Sequence, residues 1–406
     1  MKTRGSPLRR VIKPFVQFFE LEASGSVLLV VATLAALICA NGGWASDYFG
    51  WLSGKTTLLL GPLSETLSRQ GWINDGLMAV FFFVVGLEIK QEILSGELST
   101  WKQASLPIAA ALGGMLVPVL LYVGANIGTS TVNGWAVPMA TDIAFALGVL
   151  KLFGKRAPLA LKVFLAALAI VDDIGAVLVI ALFYTEKLHI EYLAWACGVI
   201  LLLITLARFR LRSVTVFLIG GFVLWWLFHH SGIHATLAGV VTAFLVPGTS
   251  REPGDTTRPT PLEVAMRVFH PIVAFAIVPL FAFANAGVSF EKLSISEMFT
   301  SKAPLGIALG LFIGKPLGIV GATWLMVRTG AAKLQPSLVM SHILGAGLLG
   351  GIGFTMAIFV SRLAFTEQEL PAVKLSILVT SLVAALAGSL VLFKCPAGIA
   401  DAGNMS

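Results

Sequence analysis

The chain has 406 residues, 57% hydrophobic and only 12% charged, with a net charge of +7 and a mean hydropathy of +0.90. Soluble domains carry about 25% charged residues, so this balance excludes an ordinary soluble protein. The basic residues are scattered through short loops rather than gathered in a patch, which excludes nucleic acid as a partner.

About twelve apolar runs follow one another, at 24–40, 76–95, 104–126, 134–152, 158–184, 190–207, 213–228, 233–247, 269–289, 304–327, 341–361 and 372–394. Most approach the ~20 residues a spanning helix needs. They are continuously apolar rather than alternating, so the sequence predicts an all-α multi-pass membrane protein and not a β-barrel. The N-terminus is basic (Lys2, Arg4, Arg9, Arg10, Lys13) and turns apolar at Ala23. A cleaved signal peptide is the alternative there. The long basic stretch and the membrane protein that follows favour an uncleaved first span. Lys and Arg number 20 in alternate loops and tails that include both termini, and 7 in the others, with Lys315 inside a helix. That bias places both termini in the cytoplasm.

The connection from Asn41 to Asn74 lies outside on this reading. It holds W-A-S-D-Y-F-G-W and a Gly-Lys-Thr-Thr segment, whose aromatic and β-branched residues predict a small hairpin. Asn74-Asp75 reads as an N-cap for the second span. The stretch Pro247–Pro261 is a polar, proline-rich cytoplasmic divider. Cys39, Cys197 and Cys395 lie in or beside spans and suggest neither disulfides nor a metal framework.

The runs at 134–152 and 341–361 are interrupted by Gly, Pro and polar residues. They share Thr-x-x-x-Phe (Thr141 to Phe145, Thr355 to Phe359). Each follows a span with an internal proline (Pro118, Pro316) and precedes a long apolar one. Two sets of three spans entering in opposite senses form the pattern of an inverted repeat.

Asp172 and Asp173 sit mid-run, in A-I-V-D-D-I-G-A. An ionised carboxylate at the bilayer centre costs about 2.5–3.5 kcal/mol. Neighbours on a helix point about 100° apart, so the two serve related but different roles. A carboxylate that takes a proton when empty and a cation when ionised is an exchanger in miniature. A salt-bridged pair joining helices is the plainer alternative. Lys315, in G-K-P-L-G, is too deep for easy snorkelling and needs a counter-charge, with one of the two aspartates the candidate. Asp142 and Thr141 follow Pro138, which breaks the helix, so they can face freed helix ends. Asp142 reads mainly as a compensator of positive N-terminal ends, with cation coordination second. Gly351, Gly353 and Thr355 offer carbonyls and a hydroxyl where backbone lines a cavity, or else allow tight helix packing. Glu88, with Lys90 and Glu92, reads as an acidic cytoplasmic funnel or as a solvated helix end. Among the histidines, His230 and His234 have a zinc-like spacing with no further ligand beside them. His234 and His270 near span ends are the pH-response candidates.

These stretches, I-N-D-G-L-M-A-V-F-F-F-V-V-G-L-E (73–88), A-T-D-I-A-F-A-L-G (140–148), A-I-V-D-D-I-G-A (169–176), I-H-A-T-L-A-G-V (233–240), P-L-F-A-F-A-N-A-G-V (279–288), G-K-P-L-G (314–318) and G-I-G-F-T-M (351–356), resemble the NhaA-type Na+/H+ antiporters from end to end. The inverted repeat is a known property of that family and no independent derivation. The resemblance implies twelve helices, with two interrupted helices that cross. It implies a division into 1–103 (tail, helices 1–2 and outside hairpin), 104–184 (helices 3–5, first core repeat), 185–303 (helices 6–9, linking and interface part) and 304–406 (helices 10–12, second core repeat, and tail). It implies that Asp172 and Asp173 bind the transported Na+, that Lys315 pairs with Asp172, and that Thr141 and Asp142 belong to the crossing. It implies a homodimer joined partly through an outside hairpin within residues 45–60. The activity implied is exchange of cytoplasmic Na+ or Li+ for more than one external H+, electrogenic and pH-regulated, in a bacterial inner membrane and without a cofactor. Gln91 and Met266-Arg267 stand where family members with sharp pH control commonly have Arg and Glu-His, so the pH profile rather than the reaction is expected to differ. A Na+-coupled organic-anion symporter and an intramembrane aspartate enzyme are the competing readings.

Overall fold

The computed structural model describes residues 25–60, 63–96, 98–185, 188–209, 211–248, 259–292 and 301–395. The basic N-terminal residues and most of the divider at 247–261 lie outside these. The first two helices, α1 (Gly25–Asn41) and α2 (Ala45–Ser53), meet at 111°. A hairpin of β1 (Lys55–Leu60) and β2 (Leu63–Ser68) follows, in antiparallel register from Lys55 opposite Ser68 to Leu60 opposite Leu63. The main helices then run in order: α3 (Met78–Ser95), α4 (Trp101–Asn126), α5 (Ile143–Leu152), α6 (Leu159–Phe183), α7 (Ile190–Arg208), α8 (Val214–Ser231), α9 (Leu237–Leu245), α10 (Pro261–Asn285), α11 (Lys302–Arg328), α12 (Met340–Gly350), α13 (Phe354–Ala364) and α14 (Leu370–Lys394).

Among the described residues, seven helices are long and apolar enough to cross a membrane, or ten if each bent pair is one span. The expected runs at 76–95 and 233–247 are not in that tally. Their helices are α3, which carries Glu88, Lys90 and Glu92, and α9, which has 9 residues. The molecule is an all-α multi-pass membrane fold turned inside out relative to a soluble one. Leu120, Leu182 and Leu202 are exposed, while Asp142, Asp172, Asp173 and Lys315 are buried.

Two expectations are corrected here. W-A-S-D-Y-F-G-W is helix α2, not hairpin. Tyr48 and Leu52, one turn apart, are its buried face, and the Tyr48 hydroxyl donates to the Phe283 carbonyl at 2.5 Å. The strands start later, at the β-branched Thr56 and Thr57. Nor do Asn74-Asp75 cap the second span. Ser68 accepts from the Gly71 amide at 2.9 Å, and a helical turn passes through a π segment, Trp72–Leu77, into α3. Asn74 is buried and its Oδ1 accepts from Asn285 Nδ2 at 2.7 Å.

The helices around the site pack by backbone. A Cβ on Gly318 of α11 would lie 2.0 Å from the Gly113 carbonyl oxygen of α4, and one on Gly113 would lie 2.3 Å from the Gly318 oxygen. Only glycine fits either position. The same helix carries a π segment, Gly310–Gly314, just before Lys315. Gly310 packs against Pro138 and Gly314 against Pro118. Pro316 lacks an amide donor, which loosens the ladder at that turn.

Candidate functional site

Two interrupted helices meet at the centre. A 3-10 segment, Ser130–Met139, leads through Ala140–Asp142 into α5 with a bend of 42°; α12 leads through Gly351–Gly353 into α13 with a bend of 46°. Pro138 ends the regular ladder in the first case. Glycines permit the second, since a Cβ on Gly351 would lie 2.4 Å from the Leu311 carbonyl oxygen. The breaks touch directly: the Asp142 amide donates to the Ile352 carbonyl at 2.7 Å.

One carboxylate serves both freed helix starts. Asp142 Oδ1 accepts from the Phe145 amide of α5 at 2.9 Å. Its Oδ2 accepts from the Thr355 amide of α13 at 3.1 Å and from the Thr355 hydroxyl. Helix N-termini hold unsatisfied amides and partial positive charge, so an anion here answers both ends at once.

Asp172 and Asp173 lie midway along α6, both buried. Asp172 Oδ2 accepts from Lys315 Nζ at 2.7 Å and from the Thr141 hydroxyl at 2.7 Å. Thr141 is also 2.9 Å from the Gly350 carbonyl oxygen. A hydroxyl has one hydrogen, so these two acceptors compete for it. Lys315, fully buried, donates as well to the Met139 carbonyl. Asp172 Oδ1 is buried and makes no hydrogen bond among the described residues.

Asp173 points elsewhere. It lines a cavity with Glu88, Asp142, Ala274, Thr355 and Met356. Three carboxylates therefore face one space bounded by α1, α3, α5, α6, α10 and α13. Glu88 does not end its helix, as expected from the sequence. It is buried, α3 continues to Ser95, and its Oε1 lies 3.2 Å from His270 Nε2. Lys90 turns away, donating to the carbonyls of Phe244 at 2.6 Å and Val246 at 2.5 Å. Gln91 and Met266 are half-buried and Arg267 is exposed.

His234 does not join Glu88 and His270. Gly239 of α9 packs on Ala79 of α3, and Ala243 on Gly86, so the two helices run side by side in one direction. His234, before α9, is thus level with the start of α3, far from Glu88. Its Nδ1 is 2.8 Å from the Thr236 hydroxyl, and its ring meets Phe359 edge-on at 5.7 Å. Phe359, one turn beyond Thr355, also contacts Phe82 at 5.3 Å and Phe281 at 6.2 Å. Among the described residues, no group of three or more His, Cys, Asp or Glu is arranged to hold a metal ion.

Sequence reasoning placed freed carbonyls at the 350–355 break, where those of Gly350 and Ile352 accept, but missed the Met139 carbonyl, because a backbone acceptor has no residue signature. The signal available was positional, since Met139 lies beside a break that frees its carbonyl.

A family model described as Na+/H+ antiporter 1 matches residues 16–392. Among curated proteins, the Na(+)/H(+) antiporter NhaA of Oleidesulfovibrio alaskensis is 45% identical, covering 94% of each chain. NhaA of Mesorhizobium japonicum is 48% identical over 97% of this chain and 98% of its own. NhaA 2 of Pseudomonas savastanoi pv. phaseolicola is 49% identical over 93% and 94%.

Proposed function

Since the chain belongs to the Na+/H+ antiporter 1 family, we propose that the cluster around Asp172 and Asp173 is its ion-exchange site. The protein is a secondary transporter, not an enzyme. It exchanges Na+ for H+ across a bacterial inner membrane that it crosses many times.

The observation that carries the site assignment is the pairing of Lys315 with Asp172 beside an Asp173 that faces the cavity. An ammonium and a sodium ion compete for the same carboxylate. With Lys315 on Asp172 the site holds its own counter-ion. When protons leave, Na+ enters through the space lined by Glu88, Asp142 and Asp173, engages Asp173 and then Asp172, and Lys315 withdraws. Asp172 Oδ1 is the open acceptor for this step. The Thr141 hydroxyl then donates to Asp172 while it is ionised and to Gly350 when it is not. Asp142 holds the crossing together as a fixed anion.

The core moves against the remainder, and protons on the far side displace the ion. Asp173 gives up one proton and Lys315 gives up a second as it leaves Asp172, so more than one proton is exchanged for each Na+, charge moves, and the membrane potential contributes about 2.3 kcal/mol per charge per 100 mV. Li+ is a second cargo. Twelve spans, two inverted repeats at 104–184 and 304–406, cytoplasmic termini, and a homodimer through the hairpin complete the reading. Glu88 and His270 form the entry and pH-response pair.

The competing readings lose support from the same facts. The named relatives are antiporters. A protease dyad needs carboxylates on facing elements sharing a proton, and Asp172 and Asp173 are adjacent on one helix.

Everted vesicles test the site. Added Na+ collapses a respiration-driven proton gradient without any organic solute, and Asp173→Asn abolishes that response while the protein remains inserted. Normal exchange by the variant removes Asp173 from the site. A requirement for an organic anion revives the symporter.

A further inference from the structure

A second titratable cluster lies far from the transport site, where the hairpin meets the end of α8. His229 Nε2 is 3.7 Å from Glu65 Oε1, and His230 Nε2 is 3.5 Å from Glu65 Oε2. Glu65 stands on β2, opposite Leu58 of β1. Two consecutive histidines thus present the same ring nitrogen to the two oxygens of one carboxylate. These separations exceed a hydrogen bond, whose N to O distance is about 2.7–3.2 Å. Glu65 Oε2 is buried and has no hydrogen bond among the described residues.

The tautomer of His230 follows from its other nitrogen. Nδ1 is 3.0 Å from the Trp226 carbonyl oxygen. A carbonyl only accepts, so Nδ1 carries the hydrogen. In neutral His230, Nε2 is then a bare lone pair aimed at a carboxylate oxygen. Protonation puts the second hydrogen on Nε2, and the contact becomes a charge-assisted hydrogen bond. Closing it requires a movement of only about 0.7 Å, from the present distance to a typical charge-assisted one.

The surroundings hold the rings in place by aromatic contacts. Trp226 lies 4.4 Å and Tyr192 5.4 Å from the His230 ring, and Trp225 stacks on His229 at 5.9 Å. The titratable groups that packed elements bring to this corner are Glu65 from the hairpin, and His189, Glu191 and Tyr192 from the start of α7. The His189 amide donates to the Ser231 carbonyl at 2.9 Å. Asp75, before α3, receives Trp225 Nε1 on its backbone carbonyl at 2.9 Å. Arg69, at the hairpin's base, is turned to the Trp51 carbonyl at 2.9 Å.

We propose that His229, His230 and Glu65 form a proton-operated latch that fastens the β-hairpin to the end of α8 in acid and releases it in alkali. No set of metal ligands among the described residues competes with this reading. Trp72 Nε1 donates to the Thr56 carbonyl at 2.9 Å and holds the hairpin's base at any pH. The latch therefore acts on the β2 side of the hairpin. It is separate from the ion-exchange site and does not rest on it.

Hydrogen exchange of the purified full-length protein at pH 5.5 and pH 8 tests the latch, read by mass spectrometry on amides of residues 55–68. Comparing proteins at one pH cancels the intrinsic rate. Wild-type amides are expected to exchange about fivefold slower than those of Glu65→Gln or His230→Phe at pH 5.5, the upper range for a half-exposed ion pair. For His230→Phe the difference vanishes at pH 8. If one variant does not fold, the other decides, because each removes a different partner. The wild type alone gives a further reading, as protection of 55–68 relative to α2 rises in acid. A difference below twofold at pH 5.5, or one equal at both pH values, overturns the latch.

Discussion

Replacing Asp142 by Ala removes one anion from two helix starts, and the cost follows from its bonds. The Phe145 amide at 2.9 Å and the Thr355 amide at 3.1 Å both lose their acceptor. Loss of an N-cap costs about 0.5–2 kcal/mol, and here the loss occurs at two helices. A favourable charge at a helix N-terminus contributes about 0.3–1 kcal/mol, more when partly buried. Together these span about 1.6–6 kcal/mol, and because Asp142 is buried the upper part, about 3–5 kcal/mol, is expected for Asp142→Ala. Asp142→Asn retains one acceptor oxygen and turns an amide group toward the other donors, so about half of that is expected. Thr355→Val removes only the hydroxyl donor and costs about 1 kcal/mol. In detergent, the apparent melting temperature of Asp142→Ala should fall by about 5–10 °C, using the low end of the size scaling for domains. The double variant Asp142→Ala/Thr355→Val should lose less than the two single losses added, because the residues share a bond. A drop for Asp142→Ala no larger than that of Thr355→Val, with additive effects, refutes the shared-cap argument.

Lys315→Ala leaves Asp172 buried without its cation; breaking a buried pair costs about 3–5 kcal/mol, less whatever Asp172 recovers by taking a proton. Lower thermal stability and altered charge movement per ion are expected in proteoliposome currents, and unchanged values of both count against the pairing. Gly318→Val drives a side chain to within 2.0 Å of the Gly113 carbonyl oxygen, where no flexible atom can yield; folded protein should be lost on size-exclusion chromatography, and a normal yield contradicts the close approach. Gln91→Arg places a cation one turn from Glu88, the partner of His270, where it opposes protonation of the pair. The acid limb of exchange should move to lower pH with the maximum rate kept, and an identical profile across pH 6–9 disposes of the pair as a pH element.

The centre of the site was readable because charge inside an apolar run has few innocent explanations. Asp172, Asp173, Lys315 and Asp142 stood out for that reason, and the structure gathers them. The two breaks were readable from Pro138 and from the glycines at 350–353. What failed depended on tertiary context. The run W-A-S-D-Y-F-G-W has strand-like residues, yet Tyr48 and Leu52 find a surface to cover as a helix. Asn74-Asp75 resembles a cap, but a π turn carries the helix through it. His234 and His270 both sit near span ends, and proximity to an end does not say which helix end lies beside which. Glu88 reads as a funnel or as a solvated helix end, and the second reading falls only when a different part of the chain brings His270 to 3.2 Å from it.

The bare backbone contact between Gly113 and Gly318 has a mechanical meaning. Side chains yield by changing rotamer, but two peptide units in contact cannot, so α4 and α11 behave as one girder. In the proposed exchange cycle, tension arising when Lys315 lets go of its carboxylate is therefore not absorbed as local slack beside it. It is carried whole into whichever seam of the molecule is packed more loosely.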